Sequence, residues 1–77
     1  MHSVRMYSRR RCGLCDEARV VIDEVRLSRG FSFDEVVIDG DDRLELDYGI
    51  RVPVVEVDGV ERFEYHVDAG ALADLLT

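Results

Sequence analysis

A helical stripe set between two strand-like segments restricts this chain more than any other feature. His2-Ser3-Val4-Arg5-Met6-Tyr7 alternates polar and apolar residues, the signature of a half-buried strand. Ser8-Arg9-Arg10-Arg11 follows as a polar loop. From Leu14 the apolar residues fall at Leu14, Ala18, Val21, Ile22 and Val25. These steps of four, three, one and three mark one face of a helix ending near Ser28-Arg29-Gly30, with Gly30 in the position after the cap. Phe31 to Ile38 is rich in aromatic and β-branched residues and reads as a second strand. Strands joined through a helix of this length run parallel, with a right-handed crossover.

The remainder completes a mixed sheet. Asp39-Gly40-Asp41-Asp42 is a turn that also caps a short helix, Arg43 to Tyr48, closed by Gly49. Val52-Pro53-Val54-Val55-Glu56-Val57 reads as a third strand, with the proline at its start, where a missing N–H is tolerated. Asp58-Gly59 is a hairpin signal, and Val60 to His66 pairs back as an antiparallel fourth strand. Ala71, Leu72, Leu75 and Leu76 carry the spacing of a final amphipathic helix. The predicted order is β-α-β-α-β-β-α: an α/β fold with a four-stranded mixed sheet flanked by helices. Seventy-seven residues leave room for one domain, residues 1–77, and no repeat or linker divides them. A chain this short buries only about 60% of its unfolded surface, so a small core and marginal stability are expected.

One constellation carries chemistry. Cys12-Gly13-Leu14-Cys15 sits where the first strand ends and the helix begins. Cys12 is thereby placed near the N-cap, where free backbone N–H groups and the positive end of the helix dipole favour a thiolate. The two-residue spacer brings Cys15 onto the first turn, within reach of a disulfide to Cys12. A Cys-x-x-Cys at the opening of a βαβ unit reads as a thioredoxin-like redox motif. The competing reading is half of a zinc site. Zinc would need two further ligands, yet the histidines are His2 and His66 alone, with no His-x3-His and no second cysteine pair, so no metal site is expected.

Charge and hydropathy narrow the partners. The formal charge is -7, which argues against nonspecific nucleic-acid binding. Residues 1–33 hold seven Arg against four acids, whereas residues 34–77 hold three Arg against thirteen. No apolar run approaches the roughly 20 residues of a membrane span. The opening residues lack the apolar region of a secretory leader, so a cytoplasmic location is expected. Thiols are kept reduced there, and a dithiol is then reactive rather than a structural staple.

Taken together, Tyr7-Ser8-Arg9, then Cys12-Gly13-Leu14-Cys15, with Val52-Pro53 and Asp58-Gly59 further on, resembles a glutaredoxin. The runs Cys12-Gly13-Leu14-Cys15-Asp16-Glu17-Ala18 and Tyr48-Gly49-Ile50-Arg51-Val52-Pro53-Val54 are more similar to the small bacterial glutaredoxin-like proteins of the thioredoxin superfamily. The resemblance covers essentially the whole chain. It implies Cys12 as nucleophile and Cys15 as resolving thiol. It implies Pro53 as a cis-proline facing the dithiol, with the Val52 backbone pairing to a bound substrate. Arg9 occupies the place where glutaredoxins often hold glutathione with a Lys. The implied partners are a disulfide-containing protein and a reductant, glutathione or another low-molecular-weight thiol. No tightly bound cofactor is implied, and a monomer is expected.

The departures are equally specific. Gly13 replaces the usual Pro between the cysteines, Leu14 the aromatic beside it, and Arg51 the usual Thr before Val52. The Gly-Gly-x-Asp-Asp run that grips the γ-glutamyl end is absent, and Phe63-Glu64-Tyr65-His66-Val67-Asp68 stands in its place. These departures predict a dithiol reductant that handles glutathione poorly. A contrasting reading is a non-enzymatic adaptor that uses the cysteines as a redox-responsive latch and the acidic C-terminal half as its interaction surface. Arg9-Arg10-Arg11 is expected to favour a thiolate at Cys12, and Asp16 and Glu17 to oppose it. Tyr7 and Tyr65 read as core or rim aromatics, and His66 as a surface or sheet-edge residue.

Overall fold

A computed structural model describes residues 1–77. The strands are β1 (His2–Ser8), β2 (Phe31–Val37), β3 (Val54–Val57) and β4 (Val60–Glu64). The helices are α1 (Gly13–Ser28), α2 (Asp42–Tyr48) and α3 (Ala69–Leu75). Element order and strand directions are those the sequence predicts. The sheet order is β2-β1-β3-β4, with β1 and β2 parallel and the other two pairs antiparallel.

Alternation along β1 sorts the two faces. Val4 and Met6 point to the side covered by α1 and α3, and pack with Ala18, Ile22, Val25, Phe31, Val55, Val57, Leu72 and Leu76. Tyr7 points to the other side, where it packs with Ile38 and Val54 beneath Leu44 and Tyr48 of α2. The Tyr7 and Tyr48 rings stack at 4.0 Å with an interplanar angle of 11°. Burial, reinforced by the neighbouring Tyr7 hydroxyl, pushes the Tyr48 hydroxyl up to about 12. Beyond the reach of α2 that face is polar, and Arg5 donates to Asp34 at 2.8 Å across the β1–β2 pair.

Helix starts follow their caps. Asp41 accepts from the Leu44 N–H at 3.0 Å, and Asp68 accepts from the Ala71 N–H at 2.8 Å. In the β3–β4 turn Asp58 and Gly59 lie at φ 52° and 81°, the doubly left-handed pair that matches strand twist in a two-residue hairpin.

Four local expectations change. β4 stops at Glu64 instead of His66, because Tyr65 turns into the left-handed region at φ 67°. β3 begins at Val54, not Val52. α1 ends with Arg29 extended (φ -129°, ψ 117°), so the left-handed role assigned to Gly30 is not used. Gly49 is right-handed (φ -48°, ψ -43°). A methyl group there would collide with the Glu45 carbonyl oxygen and lie 3.1 Å from the Arg9 guanidinium. Close approach, not turn geometry, is what requires that glycine.

One ion pair fastens the start of β1 to the hairpin. His2 Nδ1 donates to Asp58 Oδ2 at 2.6 Å, and the Ser3 N–H donates to Asp58 Oδ1 at 2.9 Å. The carboxylate raises the His2 imidazole above its ordinary 6.5, and the imidazolium holds Asp58 below its ordinary 3.8. The His2 contribution to stability is full below pH 6.5 and fades as pH climbs through the raised value. The Asp58 contribution is full above pH 3.8 and fades as pH falls through the lowered value. A proton NMR titration should place the His2 midpoint above 6.5, and Asp58→Asn should bring it down. An unmoved midpoint in that variant would show that the pair does not form in solution.

Candidate functional site

Strand pairing delivers three chain segments to one end of the sheet. Tyr7 pairs with Val54, Ser8 with Val37, and Val54 with Glu64. The C-terminal end of β1, the Val52–Pro53 segment before β3 and the Tyr65–Val67 segment after β4 therefore gather together. From Ser8 the chain turns through Arg9–Arg11, with Arg11 left-handed at φ 54°, and enters α1 with Cys12 as N-cap. Cys12 Sγ accepts the Cys15 N–H at 3.1 Å, using one of the backbone donors that a helix start leaves free. Cys12 and Cys15 form a disulfide with a Cα–Cα separation of 5.2 Å.

The two sulfurs differ in access. Cys15 lies on the inner stripe of α1 with Ala18, Ile22 and Val25 and is fully buried, whereas Cys12 is half-buried. In the reduced protein an alkylating reagent at mildly acidic pH should label Cys12 before Cys15, as mass spectrometry of the digested adduct would read. Equal or reversed labelling would remove Cys12 from the attacking role.

The Val52–Pro53 peptide is cis, and Pro53 is buried. The Pro53 carbonyl accepts the Tyr65 N–H at 2.9 Å, tying the segment after β4 to the proline segment. Neither the N–H nor the C=O of Val52 bonds to another backbone group. Arg9 is engaged elsewhere: its Nη2 donates to Glu45 Oε1 of α2 at 2.8 Å, over Gly49. Arg10 and Arg11 are exposed and form no ion pair.

Three features were not read from the sequence. Glu35 on β2 accepts from Arg19 Nε at 2.8 Å, from Arg19 Nη2 at 2.6 Å and from the fully buried Ser8 hydroxyl at 2.6 Å. These donors, Arg19 foremost, hold the Glu35 carboxyl below its usual range against an opposing effect of burial. Arg19 also donates to Asp16 at 2.9 Å, so the carboxylate next to Cys15 is partly neutralised. The signal was present: Ser8 and Glu35 continue the inward-facing series Val4, Met6 and Phe31, Phe33, where a polar residue needs a partner. The second feature is Arg51, which pairs with Glu61 and Glu64, donates to the Asp47 carbonyl at 3.0 Å and lies 5.5 Å from the Tyr48 ring centroid. It joins the end of α2 to β4 just ahead of Val52. The third is a small apolar hollow between α1 and Tyr65–Val67.

The Glutaredoxin-like domain (DUF836) family model matches residues 3–77. The chain belongs to this family. Among solved structures, the XcR50 protein of X. campestris is 36% identical, with 95% of this chain and 93% of that one covered and a TM-score of 0.78. Protein Ne2328 of Nitrosomonas europaea is 26% identical over 99% and 92% of the two chains, with a TM-score of 0.84. A mutant thioredoxin of Halobacterium salinarum is 25% identical over 97% and 71%, with a TM-score of 0.65. No curated protein matches. This glutaredoxin-like chain thus has a thioredoxin-type fold carrying a Cys12–Cys15 pair at disulfide distance. No helix is long and apolar enough to cross a membrane.

Proposed function

We propose that this protein is a thiol–disulfide oxidoreductase acting through Cys12 and Cys15. The observation that carries the reading is the asymmetric pair at the N-terminus of α1, with Cys12 half-buried at the cap and Cys15 fully buried one turn on. In the reduced protein the Cys12 thiolate attacks one sulfur of a substrate disulfide. A Cys12–substrate bond forms, and the other substrate sulfur leaves as a thiolate. The Cys15 thiolate then attacks the Cys12 sulfur, the Cys12–Cys15 bond forms, and the second substrate thiolate is released. Two electrons pass to the substrate. A thiol reductant, glutathione or another low-molecular-weight thiol, returns them to the protein by the same exchange.

The surrounding residues would assist in distinct ways. The Cys15 N–H stabilises negative charge on Cys12. The unbonded N–H and C=O of Val52 offer a strand-like edge to the substrate, and buried Pro53 fixes that edge in place. The Glu35–Arg19–Ser8 network ties the first turns of α1 to β2 and so holds the dithiol against the sheet. The deciding experiment is turnover. With a thiol reductant supplied, the protein should reduce many equivalents of a generic peptide disulfide. A single stoichiometric exchange that then stops would favour the latch reading over the enzyme.

A further inference from the structure

The hollow between α1 and the segment after β4 is lined by Leu14, Glu17, Ala18, Val21, Tyr65, His66 and Val67, and encloses about 90 Å³. Whole-ligand sites run to roughly 300–1,000 Å³, so this one takes a single side chain. Five of its seven lining residues are apolar, and its one formally charged group is Glu17. Glu17 is exposed and takes part in no ion pair, unlike Asp16 beside it, which Arg19 engages. An apolar cleft with an unpaired carboxylate at its rim suits a side chain with an apolar stem and a cationic head.

The place of the hollow ties it to the dithiol. Leu14, one wall, stands between Cys12 and Cys15 in the sequence. Tyr65, on the opposite wall, is bonded through its N–H to the Pro53 carbonyl, next to the unbonded backbone of Val52. A substrate strand lying along Val52, as the proposed function has it, would run beside Tyr65 and so beside the hollow. Arg10 and Arg11, which precede Cys12 in the chain, are exposed and form no ion pair.

We propose that this hollow is a specificity site for a lysine or arginine side chain next to the disulfide cysteine of a peptide substrate. The proposal rests on the oxidoreductase reading and names its substrate class. Three matched peptide disulfides, with Lys, norleucine or Glu beside the cysteine, test it. Norleucine supplies the stem without the charge. The parent protein should reduce the Lys peptide about tenfold faster than the Glu peptide in kcat/KM, with norleucine between, combining one favourable rim contact with one like-charge contact. Glu17→Arg should reverse the order of Lys and Glu. Glu24→Arg, the same charge change two turns along α1, should leave the order intact. Because each variant is judged by a ratio within itself, a general loss of activity or stability cancels from the comparison. Equal rates in the parent, norleucine ahead of Lys, or reversal by Glu24→Arg as readily as by Glu17→Arg would each overturn the site while leaving the redox reading in place. Failure to reduce any of the three peptides would overturn the redox reading and the site with it.

Discussion

Cys15→Ser is expected to lose at least about tenfold in dithiol-driven disulfide reduction, a barrier change of about 1.4 kcal/mol, and to accumulate a mixed disulfide on Cys12. Half-buried Cys12 can still attack, but the buried thiol that would release the substrate is gone. An external thiol must then do the releasing, and glutathione is expected to do so poorly. The Arg9 guanidinium, the cation that the resemblance offers its glycyl carboxylate, is held by Glu45 at 2.8 Å. Its γ-glutamyl end needs open backbone donors and a carboxylate. Tyr65, His66 and Val67 fill the segment where glycines would stand, and Asp68 spends its carboxylate on the Ala71 N–H of α3. Added glutathione should therefore leave the variant slow. If Cys15→Ser with glutathione deglutathionylates a test substrate about as fast as the parent, the tripeptide is being held and this account of the segment is wrong.

How much of this was legible depended on whether each feature is local in the chain. The α1 stripe, the Asp58-Gly59 turn and the aspartate-rich segment before α2 act over a few residues, and all three take their expected form. The cysteine pair was legible for the same reason, since a strand end, an N-cap and a first turn are consecutive. Contacts set by the fold were not. Arg9 looks free beside the cysteines in sequence, but Glu45 lies 36 positions away and meets it only because α2 crosses that end of the sheet. Arg51 could be seen to replace a threonine, but not to bridge Asp47, Glu61 and Glu64. The extent of β4 was missed because alternation does not report the backbone, and a left-handed tyrosine ends the strand where the pattern would continue. That same residue lines the hollow proposed as the specificity site.

Leu72→Ala should be strongly destabilising. Helix α3 spans only Ala69–Leu75, well below the roughly 12–15 residues at which an isolated helix becomes even marginal in water. Its order comes from packing, through fully buried Leu72 and through Leu76, which is 6% exposed, against the Val4–Met6–Ile22 core. Truncating a buried leucine to alanine costs about 2–5 kcal/mol, because the cavity refills only in part. At roughly 0.05–0.15 kcal/mol per residue, a chain of 77 residues holds about 4–12 kcal/mol in total. Each kcal/mol moves the melting point by about 4–8 °C, so a fall on the order of 8–40 °C is expected in a thermal melt of the oxidised protein. Leu27→Ala and Leu46→Ala make the same chemical change at residues 90% and 86% exposed, and should stay within about 0.5 kcal/mol of the parent. Comparable losses in all three would mean that α3 is not seated as described. The consequence reaches the site as well. Asp68 both caps α3 and ends the Tyr65–Val67 segment, so loosening the helix frees one wall of the hollow while Cys12 keeps its own support from α1 and β1. Under conditions where Leu72→Ala is still folded, discrimination between Lys and Glu peptides should therefore fall further than the rate on a peptide with alanine at that position.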